Sequence, residues 1–424
     1  MTSIRVPYGD GYQEAVINDS IPVQVIDPPC REAAVPVEEL IREALDTPVG
    51  TARLEELVTR EDRVIVIVND HTRPGPMAEI VDALIRRLNG AGVPDSQIQF
   101  VVATGSHRAS TGPELDRILG PEYHRRIRVR NHDCMDGDHV YMGDTENGMP
   151  IWIDREVAES TFIITAGLIA PHATAGFSGG RKSIVPGVAG IETLRIHHSL
   201  PIRPFQPAMG YFEENPFHQA ALEAAGRIHV RFIVNVVQDP HKQNIACVAG
   251  DLRAAHEAGV AVCRRACTVK VDGPADVVIL SPGGFPRDSD LYQAQKALSV
   301  GEVFASGEGC TFILCARAED GIGEGCFRSW LEEAREPEEV IERFRREGFN
   351  VGSNKAFMYA RAMTKGRVLV VSDRVKREDL RRMMMDGVSS LQEAVDLVCG
   401  EGRPKQIVVL PKAVNIIPVT EINE

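Results

Sequence analysis

Aromatic residues make up only 5% of this 424-residue sequence. Little material is therefore present for the stacked platforms that bind single-stranded nucleic acid. Positive charge is short as well. Lys and Arg number 47 against 60 Asp and Glu, a net charge of −13. That balance disfavours nonspecific binding to nucleic acid or to an anionic membrane, although a local basic pocket can still exist. No apolar run approaches the length of a membrane span. The opening residues, MTSIRVPYGDGYQ, carry no apolar signal segment, so the expectation is a cytoplasmic protein. The nine cysteines, at 30, 134, 247, 263, 267, 310, 315, 326 and 399, form no CxxC pair. They read as free thiols of a reducing compartment. No HExxH is present, so no zinc signature exists. No GxGxxG follows a strand, which leaves an ordinary dinucleotide site unsupported.

What is present is alternation. Residues 3 to 25 read as short strands around Gly9-Asp10-Gly11. The run Val64 to Val68 is continuously β-branched, as suits a strand buried on both faces of a parallel sheet. Helix (Met77 to Leu88), strand (Ile98 to Ala103) and helix (from Leu115) follow, and later the apolar run TFIITAGLIA ends at Ala170. Past residue 226 the sequence predicts a strand at Phe232 to Val237 and a helix over Leu252 to Arg265. A composition change at VKVDGP (269–274) reads as a linker, and strand–helix alternation then resumes from Val277 to Leu410. The expected fold is α/β, with two Rossmann-like domains, each a mostly parallel sheet flanked by helices. The expected boundaries are 1–270 and 275–411, with a tail of about 412–424 returning to the first domain.

Polar residues cluster where buried strands end. Val64 to Val68 runs into Asn69-Asp70-His71-Thr72-Arg73-Pro74, and Ile98 to Ala103 runs into Thr104-Gly105-Ser106-His107-Arg108. The 161–170 run leads to PHATAGFSGGRKSIVPGVAG (171–190) and then to His197-His198. Open α/β sheets place their ligands at the carboxyl ends of their strands. Three such ends deliver Asp70 and Arg73, His107, and His172. Histidine suits acid–base work because it titrates near neutrality, and Arg is a bidentate holder of carboxylate or phosphate. The loop Ser178-Gly179-Gly180-Arg181-Lys182 suggests an anion cradle, since glycines let amides approach closely. Each cluster also reads, alone, as a solvated polar turn. His197 and His198 are adjacent on a helix, so at most one serves a common centre. His132 and His139, around Asp133, Asp136 and Asp138, imitate a metal site, but a polar turn is the better reading. Farther on, Tyr292 and Lys296 are four apart on one helix face.

Taken together, these stretches resemble the lactate racemase family and its wider group of nickel-pincer 2-hydroxy-acid racemases and epimerases. The resemblance rests on DHTRP (70–74), ATGSHR (103–108), the 171–190 block, the His197-His198 pair and LYQAQKAL (291–298), and it runs nearly the full length. It implies a nicotinic-acid-derived cofactor, a pyridinium-3-thioamide-5-thiocarboxylic acid mononucleotide that binds nickel. In some members the cofactor is joined to a lysine, here Lys182. It implies His198 as nickel ligand, His107 and His172 as acid–base residues, and Arg73 and Lys296 as catalytic holders of the substrate carboxylate, with Tyr292 and Gln293 beside them. Asp70 and Thr72 would lie near the cofactor, and Ser178, Gly179 and Gly180 are expected at its phosphate.

The implied reaction inverts C2 of a 2-hydroxy acid through a 2-keto acid, by loss and return of hydride. Hydride loss suits this substrate, because taking the same hydrogen as a proton would set a second negative charge beside the carboxylate. Two histidines are expected, one per substrate hand. The site would lie in the interdomain cleft, and cofactor-biosynthesis proteins would be the maturation partners. A noncatalytic binder of a hydroxy acid or nucleotide is the alternative, and a nicotinamide dehydrogenase a weaker one.

Overall fold

The architecture comes from a computed structural model describing residues 1–27, 35–73, 75–305, 309–323, 325–402 and 404–420. Cys30, Pro74, Glu324 of the GIGEGC loop and residues 421–424 of the tail lie outside the described residues. The chain divides into two compact units. One comprises Cys30–Pro204 and Gly210–Ala266; the other comprises Met1–Pro29, Phe205–Met209 and Cys267–Glu424.

The unit built mainly from residues 30–266 has a six-stranded sheet. Its order is Asn244–Gly250, Val230–Gln238, Phe162–Ile169, Val64–Asn69, Ile98–Ala103 and Arg128–Asn131. All neighbours are parallel except the first pair, which is antiparallel. Every residue of Val64–Asn69 is buried, as its β-branched run requires of a central strand. One face of the sheet joins Val64, Val66 and Val68 to Ile80, Leu84 and Leu88 of the helix Met77–Gly90 in a single apolar cluster. The apolar positions of that helix recur at three- and four-residue spacing, which keeps one stripe on the sheet. The strand Asn244–Gly250 escapes the sequence reading because it is half exposed and carries no β-branched run.

The second unit also has a six-stranded sheet, all parallel. Its order is Asp386–Val388, Gly366–Val371, Cys310–Cys315, Val277–Leu280, Ile407–Leu410 and Val23–Val25. Here the chain departs from the expected boundaries. Residues 1–27, assigned by sequence to the first domain, belong with the second sheet. Val23 to Val25 pair with Ile407 to Val409, and Ile4, Val6, Ala15 and Ile17 of the hairpin Thr2–Tyr8/Gly11–Ile17 enter the core of Val277, Ile313 and Leu369. Sequence order hides this because the pairing partner lies almost four hundred residues on. The supposed linker is likewise a strand: Thr268–Val271 pairs in parallel with Ile417–Thr420, so the tail returns to this segment of the second unit.

Among the described residues, no helix is long and apolar enough to cross a membrane. The eight described cysteines are all free thiols.

Candidate functional site

The parallel register brings two polar clusters together. Asn69 pairs with Ala103 across the neighbouring strands Val64–Asn69 and Ile98–Ala103, so Asp70 and the loop 104–108 leave the sheet side by side. The Asp70 carboxylate then meets His107 Nδ1 at 2.7 Å and accepts from the Thr72 hydroxyl at 2.8 Å. Asp70 is only 2% exposed. Burial works to raise its pKa, but the hydrogen bond from His107, the charges of His107 and Arg73 and the Thr72 hydroxyl outweigh it and bring it to about 2. An ionised carboxylate only accepts, so His107 carries a hydrogen on Nδ1, and its Nε2 offers a lone pair whenever the ring is neutral. The Arg73 amide closes the turn on the Asp70 carbonyl at 3.2 Å.

The third cluster follows Phe162–Ile169, the other neighbour of the central strand. His172 Nδ1 lies 3.1 Å from the backbone nitrogens of both Thr174 and Ala175, and its Nε2 lies 3.1 Å from Lys182 Nζ. The loop carrying Lys182 is tied to the loop carrying His107, because the Gly105 amide donates to the Gly187 carbonyl at 3.0 Å.

The sequence reads Arg181 as charge for an anion cradle or for a solvated turn. It is 1% exposed, and its guanidinium donates to the carbonyls of Ala175, Phe177 and Gly179. Burial pulls its pKa down to about 9. Arg181 is thus the internal clamp of the 172–182 loop. Ser178 and Gly180 are also committed inside the protein. The Ser178 hydroxyl donates to the Leu168 carbonyl, and the Gly180 amide donates to Asn235 Oδ1 at 2.8 Å. Gly179 and Gly180 both sit at positive φ. A Cβ on Gly179 would come within 2.8 Å of Ile169 and Asn235, and one on Gly180 within 2.8 Å of the His256 ring. These glycines serve close packing of the loop, so the expected phosphate role of Ser178, Gly179 and Gly180 is not carried further.

His197 and His198 divide as their adjacency requires. His197 is fully buried, stacks on Phe217 at 3.7 Å and lies 2.9 Å from the Phe217 carbonyl through Nε2. Burial pushes its pKa down to about 3. His198 is partly exposed. Its Nδ1 lies 3.3 Å from the Leu194 carbonyl, which makes that nitrogen the donor and leaves the Nε2 lone pair. Desolvation, then the charges of His197, Arg203 and Lys182, hold its pKa well below the ordinary value. A neutral imidazole with its other nitrogen on a backbone carbonyl is the usual state of a metal-binding histidine. Lys182 Nζ lies 5.7 Å from the centroid of the same Phe217 ring, and His198 lies 5.1 Å from it. Among the described residues, no three His, Cys, Asp or Glu side chains group as a metal site by themselves. The 132–139 cluster is accounted for structurally: His132 bonds Asp154 and the Ala189 carbonyl.

In the other unit, Tyr292, Gln293 and Lys296 lie on the helix Leu291–Gly301. Asp290 caps that helix, accepting from the Gln293 amide at 2.6 Å, an interaction worth about 1 kcal/mol. Lys296 Nζ donates to Gln293 Oε1 at 2.8 Å, and Lys355 Nζ stands 5.1 Å from the Tyr292 ring centre.

Residues 8–209 match the family model of the lactate racemase N-terminal domain, and residues 270–418 that of the lactate racemase C-terminal domain. The chain belongs to the lactate racemase family. A relative named lactate racemase, from Lactiplantibacillus plantarum, is 33% identical over 390 residues, covering 90% of each chain. Another so named, from Thermoanaerobacterium thermosaccharolyticum, is 30% identical over 432 residues, covering 99% of this chain and 98% of its own. The structure of the lactate racemase apoprotein from the latter organism superposes with a TM-score of 0.91 at 28% identity, over 99% of this chain and all of that one. A Thermotoga maritima protein of known structure shares the fold, with a TM-score of 0.68 at 16% identity, over 91% of this chain and 98% of that one. Asn235, His256 and Phe217, which pack against the 178–181 loop and His197, are not singled out by motif reading, and Arg181 is singled out only as loop charge. None sits beside a polar strand end except Arg181, and burial, which decides its role, has no signature in a Gly-Gly-Arg-Lys run.

Proposed function

We propose that this protein is an isomerase that racemises or epimerises a 2-hydroxy acid, with lactate or a homologue as substrate. Family membership across both halves of the chain is the observation that carries the reading. The Asp70–His107 pair supports it chemically, because it sets a proton acceptor at a strand end. When bound, the family's nickel-pincer pyridinium mononucleotide would supply a centre that takes hydride from C2 and returns it. His198, neutral and held by its Nδ1 hydrogen bond, is the residue we assign to the nickel. Lys182 is assigned to covalent attachment, and Asp70 and Thr72 to the cofactor's surroundings.

The chain's own residues perform the remaining tasks. His107 Nε2 accepts the hydroxyl proton of one substrate hand, and Asp70 fixes the ring and balances the charge that arrives. His172 is assigned the same task for the other hand. Arg73 and Lys296 are assigned to the substrate carboxylate, Arg73 by its planar fork and Lys296 as a point charge. Tyr292 and Gln293 would add hydrogen bonds to the substrate. Holding the carboxylate would keep the flat 2-keto acid bound while it turns from one face to the other.

The test is a chiral assay over a panel of 2-hydroxy acids, using protein co-expressed with the cofactor-making enzymes. The expected outcome is conversion of at least one single enantiomer into a mixture, with no net oxidation. Loaded protein that leaves every enantiomer of the panel unchanged would sink the reading.

A further inference from the structure

The carboxyl edge of the second six-stranded sheet is where an open α/β sheet holds a ligand. Here the tip of the N-terminal hairpin occupies part of that edge. The Ser281 hydroxyl, just after Val277–Leu280, donates to the Pro7 carbonyl at 2.6 Å, and the Phe285 amide donates to the Gly9 carbonyl at 2.9 Å. The Tyr8 hydroxyl donates to Asp373, just after Gly366–Val371, at 2.5 Å. Amid these contacts stands Asp288, 1% exposed. Its Oδ2 accepts from the Gly9 amide at 2.7 Å and from the Arg317 amide at 3.2 Å. Its Oδ1 is buried and has no hydrogen-bond partner among the described residues. One oxygen thus joins the hairpin tip, the loop after Val277–Leu280 and the loop after Cys310–Cys315. Gly9 makes the approach possible: it sits at φ +55°, and a Cβ there would lie 2.6 Å from Arg317 Cδ.

From Asp288 the lacing runs on to the helix Leu291–Gly301. The Ala318 amide donates to the Asp288 carbonyl at 2.8 Å, and the Asp320 amide to the Ser289 carbonyl at 2.7 Å. The Leu291 and Tyr292 amides then donate to the Gly321 and Ile322 carbonyls at 3.2 and 3.1 Å, and the Gln293 amide to Asp290 Oδ1 at 2.6 Å. The first amides of a helix have no acceptor inside it, so whatever accepts them sets where the helix begins and how it is turned. Here the acceptors for Leu291 and Tyr292 come from the 316–322 loop, which Asp288 holds. We propose that Asp288, with the hairpin tip it grips, is a positioning residue for Tyr292, Gln293 and Lys296. The inference rests on the reading in which those three side chains meet the substrate. It adds that their placement is set from outside the helix, by a ribbon almost three hundred residues earlier in the chain. The hairpin tip stands where this sheet would otherwise take a ligand, and the rigidity it confers is passed to the helix.

The experiment is hydrogen exchange of the folded, cofactor-free, full-length protein, read by mass spectrometry on peptides spanning 289–293. In Asp288→Ala, exchange there should quicken by about 10-fold or more, because two amides lose their acceptor and the bracket opens. The strands Val277–Leu280 and Gly366–Val371 should keep their wild-type rates. Asp288→Asn should stay within about 3-fold of wild type, since its amide oxygen can serve both donors. Unchanged exchange in Asp288→Ala, an equal quickening across the whole second sheet, or Asp288→Asn as fast as Asp288→Ala each overturns the proposal. If Asp288→Ala does not fold, Gly9→Ala reads the same link by displacing the tip, with the same expected and overturning outcomes in the 289–293 peptides. In loaded protein, the loss of kcat/KM in Asp288→Ala should lie in KM, raised about 10-fold, with kcat within about 3-fold of wild type. A fall in kcat with KM unchanged marks a general structural defect and overturns the positioning role. The exchange measurement needs neither cofactor nor substrate, so its failure leaves the proposed function standing, and a loaded protein inactive on every hydroxy acid leaves the exchange result standing.

Discussion

His107 Nδ1 lies 2.7 Å from the buried carboxylate of Asp70. The pair makes Asp70 a positioning residue for a base. Asp70→Asn keeps the shape but removes the charge that receives the imidazolium. In the loaded enzyme, turnover should fall by about 100-fold or more, read by chiral chromatography. Wild-type turnover in that variant would reduce the pair to a structural contact.

The same carboxylate should leave a mark on acid stability. Its folded pKa of about 2 lies below the ordinary 3.8, so the unfolded chain takes the proton first as pH falls. The stabilisation, about 2 kcal/mol, is complete above about pH 4 and is lost as pH drops towards 2. Urea titrations at pH 5 and pH 2.5 should show that loss in wild type and not in Asp70→Asn.

His218 gives a second limb at milder pH. Burial, then the charges of Arg181 and Arg253, push its pKa down to about 3. Below about pH 6.5 the unfolded state is protonated and the folded state is not, so stability declines with falling pH between about 6.5 and 3. From pH 7 to pH 5 this one residue should cost about 2 kcal/mol. His218→Phe should flatten that decline without loss at pH 7, because Nδ1 is buried with no hydrogen-bond partner among the described residues and the ring packs on Phe212 at a 4.0 Å centroid distance. An unchanged slope in equilibrium unfolding would assign the acid limb elsewhere.

Gly180→Ala tests the loop's packing. The new methyl would meet the His256 ring at 2.7 Å from a backbone at φ +53°. A loss of at least about 2 kcal/mol is expected. Gly226→Ala is the control, since its methyl meets nothing within 4 Å among the described residues. Thermal melts of both variants make the comparison, and equal melting temperatures would remove the close-approach argument.

Lys182→Ala should abolish any covalent mass increment in protein purified from cofactor-making cells, by intact-mass spectrometry. A wild-type protein without an increment would leave only noncovalent binding of the cofactor at this site.

The strand ends were legible because buried β-branched runs and the polar residues after them are local signals. Val64 to Val68 followed by Asp70, and Ile98 to Ala103 followed by His107, needed only a parallel register to meet. Spacing also showed that His197 and His198 could not both serve one centre, but not which would turn inward; Phe217, twenty residues on, decides that. Arg181 reads from sequence as cradle charge, because its three carbonyl partners exist only once the loop has closed. The first 27 residues were misassigned for the same kind of reason, since a three-residue strand gains its meaning from a partner near the other terminus.

That last pairing orders events during synthesis. Val23 to Val25 emerge from the ribosome early, yet the edge they bind, Ile407–Leu410, is among the last segments made. The unit ending at Ala266 has all its strands once two-thirds of the chain is out, whereas the other holds its opening hairpin in waiting until translation is nearly done. A ribosome stalled before residue 407 would therefore carry one finished lobe and an orphaned, half-apolar N-terminal ribbon, the natural client of a chaperone.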